Sequence, residues 1–420
     1  MASIADVPKE SFRLSMLIYD TRYRSLTIQV VVFFLVMAGA AWLVDNTYRN
    51  LQLLGKDFNF SFLWNRAGYD IPQVLIEYTN DSTHGRAMFI GLLNTLLVAF
   101  LGCAAATVLG IVIGVLRLSK NWLVGRLMTV YVEIFRNVPL LLWILLIYTV
   151  FIEATPGPNA YRPGADGTPG MEMQLLGTIA VTNRYTAVPD LLFWRSLGDI
   201  DLLLFKVSLD LLAIIAALVA SFYANRMLLA QATRVQEATG DRPVTWWKSI
   251  LIWTVPVIAV LSALGFHVEY PRLQGFNFVG GINVSNSLMA LWLALTLYTA
   301  AFIAEIVRAG IMAISRGQTE AAFALGLRPG RTMNLVILPQ ALRVIIPPLI
   351  SQYLNLTKNS SLAIAVGYLD LRGTLGGITL NQTGRELECV LLMMLIYLAL
   401  SLAISGVMNI YNASVKLKER

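Results

Sequence analysis

Side chains able to do chemistry are scarce in this chain, and their types limit what it can do. Its only histidines are His84 and His267, and its only cysteines, Cys103 and Cys389, lie inside apolar runs. A metal centre or a disulfide framework therefore has almost no ligands to draw on. No phosphate-binding loop is present: Gly326-Leu327-Arg328-Pro329-Gly330-Arg331-Thr332 lacks the lysine and has the wrong glycine spacing. No histidine stands beside a candidate serine or cysteine nucleophile, so the sequence argues against catalysis. What remains are charged pairs three residues apart on helical faces. Glu133 with Arg136 can pair at a membrane boundary, as an anchor or as part of a gate. Glu305 with Arg308 can snorkel to the headgroups, or Glu305 can meet an ammonium group on a cavity wall.

The elements that must position these residues are membrane helices. Of 420 residues, 57% are hydrophobic and only 14% charged, with a mean hydropathy of +0.65. Soluble domains carry about 25% charge, so the bilayer is the expected solvent, and the +7 charge suits cytoplasmic loops facing anionic lipid rather than nucleic acid. Apolar runs of about 20 residues fall at 27–44, 90–116, 128–152, 205–224, 250–266, 287–304 and 388–411. The first reads as an uncleaved anchor. A further span over 337–356 contains Pro347-Pro348, which predicts a kink, and should face the bundle interior. The expected fold is an all-α, polytopic membrane bundle of about eight helices.

Basic residues set the expected orientation. Segments 1–26, 117–127, 225–249, 316–343 and 412–420 are denser in Lys and Arg than the segments between, which places both termini in the cytoplasm. Long outer loops over 46–87 and 153–201 are punctuated by turn formers such as Pro156-Gly157-Pro158.

On the second span Gly91, Thr95, Ala99, Gly102, Ala106, Gly110 and Gly114 recur every three or four residues, so another backbone can approach closely. That stripe is a packing face, with Asn94 and Thr95 as candidates for lining a substrate path. Between two later spans, Thr319 can cap a short helix that begins with Glu320, continues through Ala321 and Ala322, and ends at Gly326 in the left-handed conformation. A short helix of this kind can dock into a partner's groove and transmit a rigid-body push.

Glu320-Ala321-Ala322, three residues, Gly326, nine residues and Val336-Ile337-Leu338-Pro339 together resemble the cytoplasmic signature of membrane subunits of binding-protein-dependent ABC importers. Val336 stands where isoleucine is usual. Asn94-Thr95-Leu96, Glu133-Ile134-Phe135-Arg136 with Pro139, Ala304-Glu305 with Arg308-Ala309-Gly310, and Lys358-Asn359-Ser360-Ser361-Leu362 are similar to the histidine/glutamine permease branch. The resemblance implies a type I importer core in two parts, 88–152 and 285–420. Residues 1–87 would add one span, and 153–284 a loop and two more. Such enlargement is similar to general L-amino acid permeases.

The resemblance also implies roles and partners. An ABC ATPase dimer would bind Glu320, Ala321, Ala322, Gly326 and Pro339, and would itself hold ATP and Mg. A second, distinct permease and a periplasmic amino-acid-binding protein would complete an importer in the bacterial inner membrane. Asn94, Thr95, Glu305, Lys358 and Asn359 are the substrate-pathway candidates. The alternative is an ion-coupled secondary transporter, for which the sequence offers only Asp210, with Lys206 four residues earlier as an interfacial ion pair.

Overall fold

The computed structural model describes residues 15–53, 55, 57–163, 170–202 and 205–415. Arg13 and the basic residues Lys416, Lys418 and Arg420 used in the orientation reading lie outside the described residues. The chain divides into two compact units, Met1–Ser61 and Phe62–Arg420. The first is built on helix α1 (Thr21–Leu53), whose Phe33, Phe34, Leu35 and Trp42 are exposed. At about 1.5 Å per residue, its 33 residues exceed the hydrocarbon thickness of a bilayer.

In the second unit the core is three long helices: α2 (His84–Leu116), α7 (Asn286–Met312) and α9 (Leu338–Asn359). Thr83 and Ser285 cap α2 and α7 by accepting from the backbone N–H of Arg86 and Leu288. The small-residue stripe of α2 packs as expected. A methyl group added at Gly110 would lie 2.6 Å from Ile303 Cβ, and one at Gly114 would lie 2.7 Å from the Ala304 carbonyl. Only glycine lets the α2 and α7 backbones approach this closely.

The apolar run expected as one span over 128–152 is two helices, α3 (Trp122–Asn137) and α4 (Leu140–Glu153), bent by 105° at Val138-Pro139. Proline has no N–H and biases the residue before it to extended backbone, and Val138 is extended at ψ 134. Helix α9 is assigned as continuous through Pro347 and Pro348. A π-helical turn precedes it over Met333–Ile337. Among the described residues, seven helices are long and apolar enough to cross a membrane, or eight if α3 and α4 count as one bent span.

The expected inserted spans are α5 (Leu209–Thr239) and α6 (Trp246–Ala263), which pack chiefly against each other. Their flanks, read from sequence as irregular loops, form short antiparallel strands. Strands β1 (Ala180–Val181) and β2 (Tyr185–Val188) precede α5, and β2 pairs with β9 (Ile282–Ser285), which leads into α7. The partners are Tyr185 with Ser285 through Val188 with Ile282. Strand β3 (Asp190–Phe193) pairs with β6 (Phe266–Glu269) across the same insertion. Two hairpins, β4 (Asp199–Leu202) with β5 (Phe205–Ser208) and β7 (Arg272–Gln274) with β8 (Asn277–Val279), complete the ribbons. The insertion is thus closed at its base by ladders joining chain before α5 to chain after α6. Helix α10 (Glu386–Val415) ends the described chain and packs on α9.

Candidate functional site

The short helix between α7 and α9 is α8 (Arg316–Ala324). Ser315 occupies the N-cap without a side-chain hydrogen bond, so Thr319 lies inside the helix and does not cap it. The end is as the sequence requires. Gly326 sits at φ +76°, its N–H donates to the Phe323 carbonyl at 2.9 Å, and the Leu327 N–H donates to the Ala322 carbonyl at 3.1 Å. Ala322 is buried toward the protein, while Glu320, Ala321, Phe323 and Leu325 are exposed, Leu325 at 81%. Pro339 lies in the first turn of α9, directly after the π-helical turn. The result is a short helix with one exposed face that ends at Gly326.

Two turns back along α7, charges converge on one carboxylate. Glu305 Oε1 accepts from Arg308 Nη2 at 2.6 Å, Oε2 accepts from Arg117 Nη1, and Arg136 Nη1 stands 3.8 Å from Oε2. Arg117 ends α2 and Arg136 ends α3, so this clasp ties three helices together beside the lead into α8. The Arg117 side chain is only 8% exposed, which strengthens its charge-assisted bond relative to a surface pair. Arg136 also lies over the Phe302 ring, 5.4 Å from its centroid. The expected pair within α3 is absent: Glu133 accepts instead from Asn137 at 3.2 Å. Arg117 was not singled out from sequence. It follows a purely apolar run, and only the close α2–α7 contact at Gly114 places it beside Glu305.

Asn94 and Thr95 are fully buried and hold backbone. Asn94 Nδ2 donates to the carbonyls of Gln73 and Leu369, both at 2.9 Å. Thr95 Oγ1 donates to the Gly91 carbonyl at 3.0 Å and accepts from the Leu371 N–H at 3.1 Å. Together they fasten the segment between α9 and α10 onto α2. In that segment Asp370 is 0% exposed, accepting from the Gly373 N–H at 2.9 Å and from the Tyr397 hydroxyl at 3.3 Å. Burial pushes its carboxyl up to about 7.

Lys358 is exposed and Asn359 half-buried at the end of α9. With Lys358, Ser351 and Asn355 form an exposed stripe at i, i+4 and i+7, opposite buried Ile346, Ile350 and Leu356. Ser351 and Asn355 escaped the sequence reading, although their spacing with Lys358 was there to be counted. A polar stripe on a spanning helix faces water or protein rather than lipid.

The pairing of Lys206 with Asp210 does not occur. Lys206 reaches Glu77 at 2.9 Å, holding the Glu77 carboxyl below its ordinary range, because β5 carries Lys206 away from the α5 N-terminus. Asp210 accepts from the Ser196 hydroxyl at 2.6 Å and the Leu197 N–H at 2.8 Å, fastening a loop. Among the described residues no group of three or more His, Cys, Asp or Glu is placed to hold a metal ion.

Comparison with known proteins places this geometry in a lineage. The family of binding-protein-dependent transport system inner membrane components matches residues 243–417. A glutamate/glutamine/aspartate/asparagine transport system permease of Rhodobacter capsulatus is 65% identical over 426 residues, covering 100% of both chains. A general L-amino acid transport system permease of Rhizobium johnstonii is 42% identical, covering 98% of this chain and 96% of its own. A glutamate/aspartate import permease of Escherichia coli is 33% identical over 177 residues, covering 41% of this chain and 76% of its own. With its seven or eight apolar helices, the chain is a multi-pass membrane protein that belongs to the inner-membrane permease components of amino acid ABC transport systems.

Proposed function

We propose that this chain is one of two permease subunits of an ATP-driven importer that accepts a range of L-amino acids, including acidic and amide ones. The observation that carries the reading is α8, whose exposed face and left-handed Gly326 stop suit it to a groove in a motor subunit. ATP and Mg are held by that partner ATPase, and this chain moves rather than catalyses. ATP-driven closure shifts α8, and α8 pulls on α7 and, through residues 325–337, on α9. Both termini lie on the cytoplasmic side with α8. A distinct homologous permease faces the Ser351–Asn355–Lys358 stripe, and a periplasmic binding protein delivers substrate from the other side.

A zwitterion needs complements to both its carboxylate and its ammonium group. Lys358 on the exposed stripe offers the first. Glu305, committed to three arginines, offers the second only in a state where the clasp has opened. The substrates for which the two full-length relatives are named, acidic and amide amino acids in one and general L-amino acids in the other, share the α-amino acid unit.

The test is reconstitution of the chain with its ATPase, second permease and binding protein in liposomes, measuring uptake of labelled glutamate. ATP-dependent uptake inhibited by neutral and basic as well as acidic L-amino acids supports the broad range. Inhibition by acidic and amide compounds alone narrows it to that class. Uptake driven by an ion gradient without ATP hydrolysis overturns the reading in favour of a secondary transporter.

A further inference from the structure

The clasp at Glu305 is unbalanced. Within 4 Å of one carboxylate stand the guanidinium groups of Arg117, Arg136 and Arg308, leaving a local surplus of positive charge. Glu305 cannot saturate them. Among the described residues the Nε atoms of Arg117 and Arg308 are buried without a hydrogen-bond partner, and the Arg117 side chain is more than nine-tenths buried. A buried donor left unpaired is costly, and a guanidinium fork matches the oxygens of a phosphate as well as those of a carboxylate.

The surrounding chain repeats the sign. The turn joining α2 to α3 exposes Lys120, the start of α3 exposes Arg126, and no acidic residue occurs between Arg117 and Glu133. Trp122, at the start of α3, is 77% exposed, as an indole at headgroup level would be. Arg136 is the loosest member, 36% exposed and 3.8 Å from its carboxylate, and is placed to turn toward an incoming anion.

We propose that the Arg117–Arg136–Arg308 cage is an oxyanion site for a phosphate-type group, supplied either by the headgroup of an anionic phospholipid or by free phosphate. The anion shares the arginines with Glu305, so its binding bears on the contact joining α2, α3 and α7 where α7 leads into α8. The site is independent of which amino acid is transported.

The experiment uses the assembled importer in nanodiscs of phosphatidylcholine with a minor fraction of phosphatidylglycerol. Lipid retained through detergent exchange is counted by native mass spectrometry, and binding of labelled orthophosphate is measured separately in pure phosphatidylcholine. The expected result is selective retention of phosphatidylglycerol, weakened roughly fivefold in Arg136→Gln, as loss of one cation near a membrane surface implies. Glu305→Gln removes the competing carboxylate and is expected to strengthen retention. Orthophosphate binding with the same opposite responses, and no lipid preference, would support the site with free phosphate as its ligand. Absence of both ligands, or a change in the same direction in both variants, would overturn the proposal and leave a purely structural clasp. If Glu305→Gln does not assemble, Arg136→Gln decides alone, and unchanged retention overturns it.

Discussion

Helices α2 and α7 bury one another, whereas α5 and α6, comparably apolar, bury little beyond their own pair. In the most apolar stretch of each helix, 61% of α7 and 33% of α2 is buried, against 6% of α5 and none of α6. Hydrophobicity cannot be the cause, because in lipid an apolar side chain gains nothing by leaving the hydrocarbon for a neighbouring helix. The difference is close packing. Gly110 and Gly114 admit Ile303 and the Ala304 carbonyl to distances that no side chain would permit. Between α5 and α6, Ala220, Ser221 and Ala224 on one side and Leu251, Val255 and Pro256 on the other line an apolar groove of about 400 Å³. The moving core is therefore specified by contact, and the insertion chiefly by its strand ladders.

The largest effect separating the two regions is expected from Gly110→Leu. The added side chain must displace Ile303 or spread α2 from α7, at a cost of about 3 kcal/mol or more, and little folded protein should be recovered from the membrane. Normal yield and thermal midpoint would show that the α2–α7 contact is not what specifies the core. Next comes Gly326→Asp, which should leave the protein in the membrane while uptake is lost. Left-handed backbone costs a non-glycine residue about 1 kcal/mol, and a charge is added beside the exposed Leu325. Gly326→Asn tolerates that backbone without the charge and should retain part of the activity, measured as binding-protein-stimulated ATP hydrolysis. Equal loss in both variants would assign the whole effect to backbone strain.

How far the sequence revealed these parts follows from the range of the forces involved. The glycine stripe, Gly326 and the Glu305–Arg308 pair were legible because their periodicity and turn chemistry act over a few residues. Arg117 and Arg136 on Glu305 were not, since those contacts depend on how α2, α3 and α7 come together in space. The bend at Pro139 was masked by an unbroken apolar run. The ribbons around α5 and α6 escaped because four-residue strands paired across 73 to 100 positions leave almost no local pattern. Asn94 and Thr95 carry the polar signature of a substrate path, yet here they hold backbone.

Asp370, at that fastening, offers a smaller and pH-dependent test of the core. Its carboxyl lies near 7 in the folded protein against an ordinary value of 3.8, so the folded state keeps a proton that the unfolded state releases between those values. Stability should accordingly fall as pH rises from about 4 to 7 and stay low above it. Asp370→Asn removes the titration. The unfolding free energy of the variant relative to wild type should rise by about 2 kcal/mol between pH 5 and pH 8. A relative stability that does not rise over that range would mean that the ionised acid is the form this segment holds.

The smallest effect is expected in the insertion. Ala224→Leu places a larger side chain in the groove between α5 and α6, which has room for it. No backbone contact opposes the change, in contrast to Gly110, so the thermal midpoint should move by less than about 0.5 kcal/mol and uptake should be unchanged. A loss as large as that of Gly110→Leu would break the comparison outright. It would mean that the apolar faces of α5 and α6 are covered in the working importer by a protein partner whose fit the added side chain disturbs, and that the insertion takes part in assembly rather than standing apart from the core.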